Sequence, residues 1–145
     1  MVTPFLLDVN VLLAMHLPGH KDYARVHRWF SRTGADAFAT CAITQCGFVR
    51  ISSQLSVKDW DIQFPETKIA LETLTALPGH VYWSSDIDYL NATEHFSARM
   101  QGHKQITDAY LLGLALSNRG KLATLDKGVV HLAGSEFAEL VELIA

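Results

Sequence analysis

Three aspartates in separate stretches of the chain each sit where an apolar segment meets polar residues. Asp8 ends the run Phe5-Leu6-Leu7, Asp126 ends the strand-like Lys121–Leu125, and Asp108 opens the helix-like run Ile106–Gly120. A carboxylate at the end of a buried strand loses hydration, and a hard divalent cation offsets that loss well. The pattern calls for a fold that gathers distant chain segments onto one rim, and it points toward metal-assisted phosphate chemistry.

Hydrophobic periodicity predicts such a fold. Pro4–Asp8 reads as a short buried strand, followed by a helix over Val9–Leu17 that Pro18-Gly19 ends. His20–Arg32 carries Tyr23, Val26, Trp29 and Phe30 on one helical face, and Gly34 closes it. Ala37–Cys41 reads as a strand, and Thr44 caps or begins a helix through Ser52, with Phe48 and Ile51 inward. Ser56–Phe64 is loop-like. A helix entered at Pro65-Glu66 continues through Ile69, Leu71, Leu74 and Leu77 to Pro78-Gly79. His80–Trp83 is a strand, and Asp86 or Asp88 caps a helix running to about Met100. Thr107–Asn118 is a helix, Lys121–Leu125 a strand and Val141–Ile144 a last strand. Strands spaced by helices predict a single α/β domain over residues 1–145, with a mostly parallel sheet covered on both faces.

In such open sheets ligands bind outside the carboxyl ends of the strands, where Asp8 and Asp126 stand, with Asp108 at a helix N-terminus near the same rim. Each also has a structural alternative. Asp8 and Asp108 are placed to cap the helices beside them, and Asp126 to open the turn Asp126-Lys127-Gly128. Three such residues in the right topological places favour a shared site over three independent caps.

Composition limits the function classes. No apolar run approaches the ~20 residues of a membrane helix, and the N-terminal segment lacks the basic leader and cleavage site of a signal peptide. Two cysteines, Cys41 and Cys46, fit buried free thiols in a reducing cytoplasm better than a disulfide framework. The net charge of −3 argues against a nonspecific nucleic-acid binder, while leaving local engagement open. Basic residues do cluster at Arg25, Arg28 and Arg32, and at Arg99, His103 and Lys104, where solvated faces are the expected role. His16 and His20 are separated by Pro18-Gly19 and read as surface or satisfied histidines. Trp29, Phe30, Phe48, Trp60 and Trp83 read as packing residues before base-stacking ones.

The segments LLDVNVLLA, ATCAITQCGFVRISS, ITDAYLLGLAL and LATLDKG together resemble a PIN domain, more narrowly the VapC-type toxin ribonucleases of toxin–antitoxin pairs. The resemblance covers nearly the whole chain and implies a PIN-like three-layer fold. It implies a Mg²⁺ or Mn²⁺ site at Asp8, Asp108 and Asp126, with Asn10 and Thr124 as supporting polar groups. It also implies metal-assisted hydrolysis of RNA by water, leaving a 5′-phosphate, with Arg50 a candidate phosphate contact. The implied partners are a VapB-like antitoxin and a second copy of the chain, for which the apolar faces at Tyr23–Phe30 and Phe48–Ile51 are candidate contacts.

One position departs from the pattern. The acid of the second patch falls here on Gln45, which can offer a carbonyl oxygen but no charge. If Gln45 stands at the metal, Gln45→Glu should raise Mn²⁺ affinity and activity, and the chain as it stands could be an attenuated homologue that binds antitoxin or RNA without efficient cleavage. A phosphoacceptor receiver domain fits poorly, because its late strand ends in lysine and this one ends in Asp126.

Overall fold

The computed structural model describes residues 2–55 and 64–145. Strands β1 (Phe5–Leu7), β2 (Phe38–Cys41), β3 (His80–Trp83), β4 (Lys121–Thr124) and β5 (Val141–Leu143) form one sheet in the order β3-β2-β1-β4-β5. Every pairing is parallel. The α-helices among the described residues are α1 (Val9–His16), α2 (Tyr23–Trp29), α3 (Ala42–Leu55), α4 (Phe64–Thr75), α5 (Tyr89–Thr93), α6 (Ile106–Ser117) and α7 (Lys127–Ala133).

The central strands are apolar on both faces because both faces are covered. Leu6, Ala39 and Leu122 point into a core formed with α5, α6 and α7. Phe5, Leu7, Phe38 and Ala123 point into a second core, formed with α1 to α4. This alternation is the period of two that strand geometry imposes. The chain starts mid-sheet at β1, winds outward through β2 and β3, then resumes on the other side of β1 with β4 and β5. A crevice therefore opens between the carboxyl ends of β1 and β4, where the winding reverses.

Several elements differ from their sequence expectations. Helix α3 begins at Ala42, two residues before Thr44, whose hydroxyl instead bonds within the turn to Cys41 N and O at 3.0 and 3.1 Å. After α2 the chain makes a π-helical turn over Phe30–Gly34. Asp88 does cap α5, accepting from Asn91 N at 2.8 Å, but the helix stops at Thr93 rather than near Met100. Phe96 then drops into the core against Phe137, and only short 3₁₀ turns follow, at Ser97–Arg99 and His103–Gln105. Helix α7 lies where only a turn was expected. Gly128, Val129 and Val130 are weak helix formers, and the helix is held at its ends instead. Asp126 accepts from Gly128 N at 2.8 Å, and Arg99 donates to the carbonyls of Leu132 and Ala133 at 2.9 and 2.8 Å. Gly134 follows with φ of +74°, a conformation glycine adopts freely.

The apolar faces proposed as partner contacts lie largely inside the monomer. Val26 and Phe48 are buried, and Phe30 packs edge-on against Phe38. Of the loop expected over Ser56–Phe64, residues 56–63, with Trp60, lie outside the described residues, and Phe64 instead begins α4. No described helix is long and apolar enough to cross a membrane.

Candidate active site

The crevice holds a cavity of about 660 Å³ whose lining includes Asp8, Asn10, Arg50, Lys104, Asp108 and Asp126. The three aspartates come from the end of β1, the first turn of α6 and the loop after β4.

Asp8 is buried in the extended residue between β1 and α1. Its Oδ1 accepts from Val9 N at 2.8 Å and its Oδ2 from the Thr124 hydroxyl at 3.0 Å. Burial pushes its pKa up, the two hydrogen bonds pull it back, and the charge of Asp126 adds to the rise. Thr124, fully buried at the end of β4, also accepts from Asp126 N at 3.1 Å. One hydroxyl thus ties the two strand-end aspartates together. Asn10 lines the cavity as an exposed residue, but it makes no hydrogen bond to the carboxylates.

Asp108 sits in the first turn of α6 without capping it, since the N-cap position is Gln105. Its carboxylate makes no hydrogen bond among the described residues. Burial, then the charges of Asp8 and Asp126, push its pKa up to about 7. Gln105 bridges this helix start to α7, donating to Gly128 O at 3.4 Å, which holds the turns carrying Asp108 and Asp126 against each other.

The wall from α3 is set by helical phase. Ala42, Cys46 and Arg50, four residues apart, face the cavity together with Ile43 and Gly47. At Gly47 a Cβ would come within 2.7 Å of the Val9 side chain, so glycine lets α3 lie close to the start of α1 beside Asp8. Gln45 does not line this cavity. Its amide nitrogen donates to the Thr40 hydroxyl at 3.0 Å, and that hydroxyl meets His80 Nε2 at 2.7 Å, which turns Gln45 toward β2 and β3. The expectation that Gln45 joins the carboxylates is corrected by that pairing.

Cys41 is buried, but Cys46 is exposed on the cavity wall, so the buried-thiol reading holds for one cysteine and fails for the other. Arg25 pairs with Asp22, and Arg99 caps α7 rather than facing solvent. Trp83 is buried, and Trp29 donates to Glu142 at 2.9 Å, as packing residues do. His20 accepts from Asp22 N at 3.0 Å, while the half-buried His16 packs edge-on against Phe48 and leaves Nε2 unpartnered among the described residues. Lys104, expected on a solvated face, lines the cavity. Its position four residues before Asp108 was the signal that it shares that residue's side of the helix start.

The three carboxylates form an all-oxygen donor set suited to a hard divalent ion rather than to zinc. Among the described residues they do not already form a cage of three ligands, because Asp8 is turned to Thr124 and Val9, and Asp126 to Gly128. They are nevertheless close enough to repel one another, since the charges of Asp8 and Asp126 both raise the pKa of Asp108. Burial with mutual repulsion is the condition a bound cation relieves.

Comparison with known proteins shows the family to which this fold belongs. Residues 5–135 match the PIN domain family. The chain is 38% identical over 140 residues to the ribonuclease VapC39 of Mycobacterium tuberculosis, covering 96% of this chain and 98% of that protein. It is 34% identical over 139 residues to the ribonuclease VapC38 of the same species, covering 96% of each. A crystal structure of VapBC2 from Rickettsia felis, bound to a DNA fragment from their promoter, shares the fold with a TM-score of 0.54 at 12% identity, covering 99% of this chain and 98% of that one. The chain belongs to the PIN-domain family, among the relatives of the VapC ribonucleases.

Proposed function

We propose that this protein is a divalent-metal-dependent endoribonuclease, the toxin of a type II toxin–antitoxin pair. The observation that carries the reading is the meeting of Asp8, Asp108 and Asp126 at the sheet's reversal point, with Asp108 half-buried and without a hydrogen-bond partner among the described residues. Asp8, Asp108 and Asp126 would hold Mg²⁺ or Mn²⁺. When bound, such an ion would supply charge neutralisation at a phosphodiester and activation of a water. Around it, Thr124 fixes the orientation of Asp8 and the start of the Asp126 loop. The N-termini of α1, α6 and α7 carry the three carboxylates, and the positive ends of these helices favour anionic groups in the crevice. Arg50 is the candidate contact for a substrate phosphate. A VapB-like antitoxin covering the cavity and a second copy of the chain are the partners proposed with this activity.

A second reading, an attenuated homologue that binds antitoxin or RNA without efficient cutting, draws support from the cavity lining, whose acids among the described residues are Asp8, Asp108 and Asp126 with no fourth. Incubating the protein with single-stranded and structured RNA in Mn²⁺ or Mg²⁺, with Asp108→Asn as control, separates the two. Cleavage leaving 5′-phosphate ends, lost in the variant, supports the nuclease. Thermal stabilisation by Mn²⁺ without cleavage of any RNA supports the second reading, and neither response removes both.

A further inference from the structure

We propose that Lys104 binds a phosphate of the RNA strand from the cavity wall opposite Arg50, so that the strand is gripped on both sides of the carboxylates. The inference rests on the ribonuclease reading and deepens it. Among the described residues, Arg50 and Lys104 are the basic ones lining the cavity. They arrive from different layers: Arg50 from α3, in the layer of α1 to α4, and Lys104 from the turn His103–Gln105 that leads into α6, in the other. Both are exposed, and among the described residues neither makes an ion pair. A lysine placed to neutralise the aspartates would pair with one of them. The charges felt by Asp108 are instead those of Asp8 and Asp126.

The turn that presents Lys104 is anchored. Gln105 accepts from Gln101 N at 2.8 Å and donates to Gly128 O at 3.4 Å, so the ammonium is carried by a fixed backbone beside the site. With a net charge of −3, the chain as a whole does not attract a polyanion. Affinity for a strand must come from local cations, and these two stand at the place of reaction.

Salt-dependent binding tests this. In an Asp108→Asn background, which prevents cutting, affinity for a single-stranded RNA oligonucleotide is measured by fluorescence anisotropy from about 50 to about 200 mM salt. Lys104→Gln should weaken binding on the order of tenfold, the size of one charge-assisted contact. It should also make the slope of log K against log salt shallower by about 0.7, the counterion release of one phosphate on a single strand. Lys104→Arg should keep the parent slope, a rescue that a structural role would not predict. An unchanged slope in Lys104→Gln overturns the proposal and leaves the nuclease reading standing. It would also be the outcome if Lys104 instead met an acidic protein surface. Absence of RNA binding by the parent at every salt overturns the nuclease reading itself.

Discussion

The two strand-end carboxylates and the one on α6 face the same cavity but stand in different relations to the scaffold. Asp8 caps α1 and takes the Thr124 hydroxyl, and Asp126 caps α7. Each would have a reason to be where it is in a protein with no activity at all. Asp108 caps nothing and bonds to no described residue, and it is pushed to a pKa of about 7 by burial and its two neighbours. A half-buried, repelled carboxylate that gives the fold nothing in return is the stronger mark of a functional site.

Asp108→Asn tests this contrast with the largest expected effect. RNA cleavage should fall by roughly a hundredfold or more, since loss even of a supporting partner at a metal site costs about 10–100-fold. The variant should melt at the same temperature as the metal-free parent or higher. A clear loss of thermal stability would show that Asp108 does serve the scaffold and would erase the distinction.

Thr124→Val probes the other side. It removes the hydroxyl shared by Asp8 Oδ2 and Asp126 N while keeping a β-branched side chain in the strand. Metal affinity should drop roughly tenfold, and stability by on the order of 1–2 kcal/mol, because two buried polar partners lose a bond. A metal titration and a urea melt read the two effects separately. Weaker metal binding without any loss of stability would mean that the strand-end pair is no more structural than Asp108.

A pH series gives a third, smaller effect. The pKa of Asp108 is raised from 3.8 to about 7 in the fold. The folded state therefore holds its proton longer than the unfolded state does, and stability falls as pH rises across that window. The contribution is fully present below the unfolded value and lost once pH passes about 7. Metal-free parent protein should thus lose stability relative to Asp108→Asn between about pH 4 and about pH 7. Saturating Mn²⁺ should flatten the difference, and melts of both proteins at each pH give the answer.

The sequence carried most of this because its strong signals were local. The strand ends at Asp8 and Asp126 and the long apolar helix around Asp108 could be read from pattern alone, as could the alternation that makes the sheet parallel. What could not be read depended on distant partners. Helix α7 is stabilised by Arg99, 33 residues away from its C-terminal carbonyl, and no propensity scale contains that bond. The short α5 follows from Phe96 turning into the core. The cavity face of α3 depends on which residues of an unevenly apolar helix meet the sheet. Alignment with a familiar motif named position 45, while the phase of the helix turned Ala42, Cys46 and Arg50 inward to the crevice.

Gln45→Glu gives the smallest expected effect and puts that last point to the test. His80 has a pKa lowered by burial, partly offset by its hydrogen bond to the Thr75 backbone, so its neutral form is favoured. The network then runs in one direction: Gln45 donates to Thr40, and Thr40 donates to His80 Nε2. A carboxylate at position 45 cannot donate and competes for the Thr40 proton, leaving His80 Nε2 without a donor unless the ring is protonated. The substitution should cost about 1–2 kcal/mol at pH 8, with the loss shrinking below about pH 6.5 as His80 takes up a proton. The folded-state pKa of His80 would be raised in the variant, so the added stability belongs to the acid side and disappears as pH climbs. Mn²⁺ titration and cleavage rate should stay at parental values. Tighter metal binding with faster cleavage would instead mean that the side chain at 45 can swing from Thr40 into the crevice, and that the missing fourth acid is what limits this nuclease.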